Sequence, residues 1–315
     1  GSHVLRALLR KGYAGRAAYR NPRYRYLLDG LPIECAHLDV EDPTRLGEAL
    51  EGCDVVFHCA GYYPRAAERR TRAVARGIAQ VRGVFDVLQR SAVKRVVYTS
   101  SAATIAPVAG RLASEADAEP WPLPNWRPLY ATVKVAMEHA VRQYAQAGVP
   151  IVIVNPSVCI GEYDAHPFSG KLILLVAKYR LVIAPSWCLN VIDTADVGLG
   201  HVLAAERGRL GEQYLLADEN LTWGAFASVV AHEAGVTLSR WRVPEPLVMG
   251  IAAMSEAAAA VLRAEPLLTR RGMQVARNAG GLDGAKARAQ LDLPRTPFVE
   301  AIRRAVQWFR QHGYL

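Results

Sequence analysis

Short, mostly apolar runs alternate along the chain with longer segments whose apolar residues are spaced as on an amphipathic helix. Such runs are typical of parallel strands that helices cover on both faces. The runs are Ile33–Leu38, Asp54–Ala60, Arg95–Ser100, Ile151–Val154 and Gln213–Leu216. The helical segments are Thr44–Leu50, Ala67–Arg90, Leu129–Gln146 and Ala195–Arg207. This alternation predicts an α/β fold built on a Rossmann-like, doubly wound parallel sheet.

The alternation loosens in the second half of the chain, where turn residues separate several further helices. We therefore predict a sheet domain over residues 1–156 and a smaller, mostly helical lobe over residues 157–315. Two strand-like pieces, Cys188–Ile192 and Gln213–Leu216, are expected to return to the first sheet. Segments near 188–216 would then belong to the first domain.

The chain opens with an amphipathic helix that follows Gly1 directly, with no apolar run before it. A doubly wound sheet needs a first strand and a glycine turn ahead of that helix, because the turn brings backbone N–H groups to the phosphates of a dinucleotide. We therefore expect this strand and this turn to be missing from the chain. Gly1 is interpreted as the last glycine of the turn, and the alternative is that Gly1-Ser2-His3 is a remnant of an expression vector.

Composition disfavours several classes of protein. Of the 315 residues, 51% are hydrophobic and 21% charged, so a large core is possible and neither a disordered nor a coiled-coil chain is indicated. The net charge of +9 would suit nucleic acid, but arginines are spread along the whole chain and no nucleic-acid-binding motif is present. No apolar run is long enough to span a bilayer. The segment Val243–Leu262 is interpreted as a packed helix in preference to a membrane-surface helix.

Cysteines and histidines indicate neither disulfides nor a metal site. The cysteines lack the spacing of a metal or redox motif, and we interpret them as buried free thiols in a reducing cytoplasm: Cys35, Cys53, Cys59, Cys159 and Cys188. His37, His166 and His201 show no ligand spacing, so no metal is predicted. His58 lies in an apolar run and is interpreted as a core histidine with satisfied hydrogen bonds rather than as a base.

Candidate chemistry lies where a buried strand ends and a helix begins. Tyr130 and Lys134 are four residues apart in Leu129–Gln146, which places the phenol and the ammonium on one face of a helix. An ammonium near a phenol lowers the pKa of the phenol, as a general acid/base requires. Ser101 follows the run Arg95–Ser100. Because ligands bind beyond the carboxyl ends of such strands, its hydroxyl would reach the same crevice and hydrogen-bond a substrate carbonyl.

A tyrosine and a lysine at this spacing occur on many helices, so the order of the motifs carries the argument. In that order the chain resembles an extended short-chain dehydrogenase/reductase of the NAD-dependent epimerase/dehydratase family. The resemblance is to the branch with dihydroflavonol reductases, 3β-hydroxysteroid dehydrogenases and the sugar-epimerase-like proteins associated with hopanoid synthesis. The matching segments are Asp39-Val40, Val55–Gly61, Tyr98–Ser101, Tyr130–Lys134, Asn155–Ser157, Asn190–Asp193, Ala285–Arg288 and Gln307–Arg310.

The resemblance implies a role for individual residues. Tyr130 would donate and accept the proton, Lys134 would also hold the nicotinamide ribose, and Ser101 would polarise the substrate oxygen. Asp39 and Val40 would flank the adenine of the cofactor. The other residues expected to contact the cofactor are Gly1, Ala60, Gly61, Asn155 and Pro156. The second lobe would bind a small-molecule substrate.

The end of the predicted second strand, Ala17–Asn21, favours NADP over NAD. An acidic side chain there would hydrogen-bond the ribose 2′-hydroxyl of NAD, whereas an arginine would pair with a 2′-phosphate. Arg20 stands at this position, and no acid occurs before Asp29. The arginines nearby are Arg16, Arg23 and Arg25. NADP is therefore the predicted cofactor and NAD the alternative, unless these arginines form only a solvated basic loop.

Two departures from the family pattern leave the substrate open. Gln80 stands where the family has asparagine, and Asn155 replaces the arginine before the proline, which disfavours a nucleotide-sugar epimerase. We expect an NADP(H)-dependent reductase or dehydrogenase of an apolar or mid-sized carbonyl or alcohol.

The alternative functions are a nucleotide-sugar epimerase or dehydratase that holds NAD tightly, and a non-catalytic sensor or scaffold. The family predicts a homodimer formed through Ala67–Arg90 and Leu129–Gln146. Aromatic residues that would either line an apolar substrate pocket or pack at scattered positions are Tyr62, Tyr63, Trp121, Trp126 and Trp187.

Overall fold

A computed structural model describes residues 1–65, 68–125, 127–180, 182–183, 186–239, 242–243, 245–262, 266, 270, 273 and 280–315. Ala67, where a helix was predicted to begin, and Trp126 lie outside the described residues. The helices are α1 (Ser2–Arg10), α2 (Pro43–Leu50), α3 (Arg70–Gln89), α4 (Leu129–Gln146), α5 (Lys171–Tyr179), α6 (Thr194–Arg207), α7 (Trp223–Glu233), α8 (Glu245–Leu262), α9 (Ala285–Leu291) and α10 (Phe298–Gln311). The strands are β1 (Arg16–Tyr19), β2 (Glu34–His37), β3 (Val55–His58), β4 (Arg95–Thr99), β5 (Ile151–Pro156), β6 (Val158–Ile160), β7 (Val182–Ile183), β8 (Cys188–Asp193), β9 (Gln213–Leu216), β10 (Glu219–Thr222) and β11 (Arg242–Val243).

A four-stranded parallel sheet with the order β3-β4-β5-β9 forms the centre of the molecule. Alternate residues of a strand point to opposite faces, and both faces of β4 and β5 are buried. Val96 and Ile151 belong to one apolar core, whereas Val97 and Val152 belong to another. The predicted doubly wound sheet is confirmed, and the mostly apolar runs are explained by helices on both sides.

Helices from different parts of the chain cover the two faces of this sheet. Leu46 of α2, Phe85 of α3 and Val133 of α4 lie in the core on one face. On the other face α6 and α9 contribute to the core, and α1 packs beside them through Val4 and Ala7. The amphipathic helix that opens the chain is thus part of the sheet domain.

β1 and β2 form a separate parallel pair beside α2. Among the described residues, β1 pairs with β2 and β3 with β4, so the other edges of β1 and β3 carry no partner strand. Many residues of the pair are exposed, including Cys35. The prediction of five buried thiols is therefore wrong for Cys35, because β2 lacks the double helical cover of β4 and β5. All five cysteines are free, as predicted.

The second half of the chain builds its own core around a three-stranded sheet with the order β10-β8-β6. We expected β8 and β9 both to return to the central sheet, and this was wrong for β8. β9 pairs with β5, but β8 pairs with β6 and β10. The break follows Pro156, after which the chain enters β6 at once. The lobe is largely helical, with α5, α7 and α10 around this small sheet.

α8 is a helix, as expected for Val243–Leu262, but it is packed on one face only. Val248 and Ala252 are fully buried, whereas Met254 and Val261 are 72% and 83% exposed. Within the described residues, no helix is long and apolar enough to cross a bilayer.

Candidate active site

The three predicted catalytic side chains meet at the carboxyl end of the central sheet. Ser101 follows β4, and Tyr130 and Lys134 lie on the first two turns of α4. The Tyr130 hydroxyl is 3.4 Å from Ser101 Oγ, at the long end of a hydrogen bond. Ser101 Oγ also accepts a hydrogen bond from the backbone N–H of Ala103, which fixes its direction. The sequence order therefore did predict which side chains come together.

The Lys134 ammonium lies over the face of the Tyr130 ring. Lys134 is only 3% exposed, and its Nζ lies 5.9 Å from the centre of the Tyr130 ring and 5.0 Å from that of Tyr63. Gly61 makes room for the ammonium, because a Cβ on Gly61 would lie 2.9 Å from Nζ. The absence of a side chain at Gly61, a predicted cleft residue, thus leaves room for the Lys134 ammonium at its observed position.

Burial is the main cause of the pKa shifts of Tyr130 and Lys134. Burial raises the pKa of the Tyr130 phenol well above its usual value, the Tyr63 phenol adds to the rise, and the Ser101 hydroxyl opposes it. Burial also lowers the pKa of Lys134 to about 8, and Glu138 opposes that shift. The expectation that the ammonium lowers the phenol pKa was therefore wrong, because desolvation disfavours the charged form of both groups. In the free chain the phenol is therefore protonated at neutral pH.

Glu138 and Arg142 extend the polar face of α4 and were missed by the sequence argument. Glu138 is 4% exposed, and its carboxylate accepts hydrogen bonds from Ser100, Thr104, Asn155 and Arg142. The signal was present: Tyr130, Lys134, Glu138 and Arg142 recur at every fourth position and share one face of the helix.

Asn155 and Pro156, two of the predicted cofactor contacts, are buried at the end of β5. The Asn155 amide lies 3.3 Å from the carbonyl oxygen of Ser101 and 2.9 Å from Thr104 Oγ1. Its side chain thus supports, from the interior, the short turn over residues 101–104 that Ser101 begins, called the Ser101 turn below. A cofactor contact of the Asn155 side chain would require it to leave these partners.

The residues predicted to bind the adenosine end lie at the carboxyl ends of β1 and β2. The Arg20 guanidinium is 3.8 Å from the Asp39 carboxylate, and the two side chains are 69% and 42% exposed. Val40 follows Asp39 and packs against the core that α2 shares with α3. Arg16 lies at the opposite end of β1 and is paired with Glu34, so it does not join Arg20.

Gly1 lies at the same edge of the central sheet as Ala60 and Gly61. A Cβ on Gly1 would lie 3.8 Å from Cβ of Cys59, the residue before Ala60. Gly1 also precedes the first turn of α1, where backbone N–H groups are unpaired within the helix. The residues present fit a dinucleotide whose phosphates approach this helix end and whose nicotinamide half lies near Gly61.

Aromatic rings surround Tyr130 on its open side. Tyr63 stacks on Tyr130 with ring centres 5.7 Å apart, and Phe168, which the sequence argument missed, lies 5.9 Å from Tyr130. Tyr63 is 52% exposed and Phe168 59%. Tyr62 is instead buried in the main core and bonded to Glu68. Among the described members of the aromatic set that was expected either to line a pocket or to pack at scattered positions, Tyr63 is the one that stacks on the Tyr130 ring.

His58 is buried in the core and stacks on Tyr98, with ring centres 5.5 Å apart. Neither of its ring nitrogens hydrogen-bonds to any described residue, so the expectation of a satisfied histidine was wrong. Burial lowers its pKa to about 4, and the ring is therefore neutral at pH 7. Within the described residues, no group of three or more candidate ligands could hold a metal ion.

Comparisons with known proteins identify the family. The sequence profile of the NAD dependent epimerase/dehydratase family matches residues 1–182. The chain is 30% identical to a putative dihydroflavonol 4-reductase of Synechocystis sp., over 100% of this chain and 93% of that protein. It is 28% identical to sterol demethylase protein B of Methylococcus capsulatus, over 100% and 96% of the two chains.

A solved structure, gox2253, superposes with a TM-score of 0.84 at 29% identity and covers 100% of this chain and 96% of its own. The profile match alone covers more than half of the chain, including Ser101, Tyr130 and Lys134. This chain is a member of the NAD-dependent epimerase/dehydratase family, whose enzymes use a nicotinamide dinucleotide.

Proposed function

We propose that the chain is an NADP(H)-dependent reductase or dehydrogenase of an apolar or mid-sized carbonyl or alcohol. The observation that carries the proposal is the meeting of Ser101, Tyr130 and Lys134 beneath an open aromatic face. The raised pKa of Tyr130 keeps the phenol protonated, which suits a proton donor in carbonyl reduction.

The mechanism follows from the position of these side chains. When bound, the cofactor supplies a hydride to the carbonyl carbon. Ser101 Oγ hydrogen-bonds the carbonyl oxygen, and Tyr130 transfers its phenolic proton to that oxygen as negative charge develops there. Lys134, held beside the ring, stabilises the phenolate that remains. In the direction of oxidation the same groups act in reverse.

The aromatic face indicates the kind of substrate. Tyr63 and Phe168 present half-exposed rings beside the reacting phenol, and such rings bind apolar groups while they displace water. The names of the two relatives, a dihydroflavonol reductase and a sterol demethylase protein, are consistent with a ring-containing apolar substrate.

NADP is the proposed cofactor because Arg20 is exposed at the carboxyl end of β1. The neighbouring Asp39 carboxylate would accept a hydrogen bond from a ribose or an adenine amino group, so NAD binding is the alternative at the same place. Residues 1–156 would form most of the cofactor domain and residues 157–315 most of the substrate lobe. A homodimer through α3 and α4 and a cytoplasmic location remain part of the proposal.

Deuterium transfer tests the reaction class. The protein is incubated with NADPH carrying deuterium at the reactive carbon and with a panel of aryl and alicyclic ketones. We expect deuterium in an alcohol product and an equal amount of NADP⁺. Absence of deuterium transfer to every ketone, in a protein that binds NADPH, would contradict a reductase.

A nucleotide-sugar epimerase is the second candidate, because the matching family profile includes epimerases. In that case NAD would co-purify with the protein, and a UDP- or dTDP-sugar would raise its thermal unfolding temperature without net change in NADH. The non-catalytic hypothesis is not retained, since the family and its relatives are enzymes.

A further inference from the structure

Glu138 lies one helical turn after Lys134, in the interior between α4 and the central sheet. Its Oε2 atom accepts hydrogen bonds from Ser100 Oγ at 2.6 Å, Thr104 Oγ1 at 2.9 Å and Asn155 Nδ2 at 2.8 Å. Its Oε1 atom accepts one from Arg142 Nη2 at 2.8 Å. Two segments besides α4, the stretch after β4 and the end of β5, therefore converge on one carboxylate.

The same donors hold the backbone of Ser101. Thr104 Oγ1 lies 2.9 Å from the Ser101 carbonyl oxygen, and Asn155 Nδ2 lies 3.3 Å from it. A threonine hydroxyl has one proton, so it donates to Glu138 or to Ser101 at any moment, while the Asn155 amide has two. Rotating the Asn155 amide would turn its oxygen towards the Glu138 carboxylate. The carboxylate thus fixes the orientation of the amide that supports Ser101.

Glu138 also provides the negative charge beneath Lys134. The groups that face Lys134 from the neighbouring elements are the Tyr130 and Tyr63 rings and the neutral His58 imidazole. The carboxylate of Glu138 favours the charged form of Lys134, whereas burial disfavours it. Arg142 pairs with the far side of Glu138 and weakens its field at Lys134.

We propose that Glu138 is a positioning residue that ties the Ser101 turn to α4 and keeps Lys134 charged. This inference deepens the proposed function, because it assigns control of the catalytic lysine to a residue that contacts neither substrate nor cofactor. If Glu138 served only to stabilise the fold through its ion pair with Arg142, substitutions would change stability but not the titration of Lys134.

Titration of Lys134 in the cofactor-free protein separates the two roles. The chain has six lysines, and the ¹³Cε signal of Lys134 is assigned with the Lys134→Arg variant. Glu138→Gln removes the charge and is expected to lower the pKa of Lys134 by about one unit. Arg142→Gln removes the opposing cation and is expected to raise it by about half a unit.

Asp196→Asn is the matched control. Asp196 is another buried carboxylate, and it accepts hydrogen bonds from the backbone and side chain of Thr296. We expect this variant to lose stability and to leave the titration of Lys134 unchanged. Shifts of opposite sign in Glu138→Gln and Arg142→Gln support the proposal, and an unchanged Lys134 pKa in both overturns it. If Glu138→Gln does not fold, Arg142→Gln alone is decisive. A raised Lys134 pKa in that variant supports the proposal, and an unchanged one overturns it.

A second readout is the pH profile of kcat. Its alkaline limb is expected to move to lower pH in Glu138→Gln and to return towards the wild-type position in Glu138→Asp, which keeps the charge. An identical limb in all three proteins would contradict the proposal. The titration of Lys134 requires no turnover, so failure of the proposed reaction would not be mistaken for failure of this inference.

Discussion

The two ends of the proposed cofactor cleft are built differently. At the β4–α4 end, Lys134, Glu138 and Asn155 are buried, and each is held by close packing or by hydrogen bonds to several segments. At the β1–β2 end, Arg20 is exposed and Asp39 is half-buried, and their charged groups lie 3.8 Å apart. This difference indicates that the proposed chemistry depends on a buried, fixed arrangement, whereas the proposed cofactor choice depends on solvated charges that tolerate change.

The largest effect is expected from a second carboxylate at the buried end. Asn155→Asp would place an acid beside Glu138 in the interior, and we expect it to lower the free energy of unfolding by about 4 kcal/mol at pH 7. Two carboxylates cannot both ionise there, so the folded-state pKa of one is raised and the loss becomes smaller as pH falls. Urea unfolding at pH 5 and pH 7 measures this. If Asn155→Asp lowered the free energy of unfolding equally at both pH values, repulsion between the two carboxylates would not be the cause of the loss.

The buried ammonium of Lys134 makes stability depend on pH. Because its pKa is lowered from 10.5 to about 8, the unfolded chain binds more protons between these values, and stability from this group rises as pH rises through that window. The full effect is about 3 kcal/mol. We expect the wild type to gain stability relative to Lys134→Met between pH 8 and pH 10.5. If the free energies of unfolding of the two proteins changed in parallel with pH, Lys134 would be solvent-exposed, which would contradict its burial.

A substitution at Gly61 tests how tightly the backbone packs against the Lys134 ammonium at the β4–α4 end of the cleft. Gly61→Ala brings a Cβ to 2.9 Å from Lys134 Nζ, and the flexible lysine can move aside at little cost to the fold. We expect kcat to fall about 30-fold, since small displacements of catalytic groups are costly, with little change in unfolding temperature. Gly47→Ala is the control, because no atom lies within 4 Å of its Cβ. Equal kcat in the two variants would contradict the close fit.

The smallest effect is expected at the exposed end. Arg20→Ala would remove the proposed partner of a 2′-phosphate and raise KM for NADPH roughly tenfold, with less change for NADH. High salt should reduce the difference, because exposed charges are screened. Arg23→Ala, an exposed arginine in the same region, is the control. If both variants keep the wild-type ratio of KM values, Arg20 does not select the cofactor.

The same contrast explains what the sequence could predict. β4, β5, α4 and α6 were predicted within a few residues, because their apolar spacing reflects burial on both faces of one sheet. Ser101, Tyr130 and Lys134 were predicted to meet because chain order and strand ends constrain them. Phe168 was missed because it lies in a loop after β6, and the sequence pattern of a loop does not predict a contact such as the one with Tyr130. β8 was misplaced because its apolar pattern is equally suitable for either sheet.

The central claim is that Tyr130 supplies the proton during carbonyl reduction. The most direct measurement compares single-turnover rates of wild type, Tyr130→Phe and Tyr144→Phe with saturating NADPH and a ketone substrate. Tyr144 lies on the same helix and bonds to Asp86, so it controls for the loss of a tyrosine hydroxyl. We predict a fall of about 10²–10⁴-fold in Tyr130→Phe alone, with NADPH still bound. Wild-type turnover in Tyr130→Phe would contradict the account.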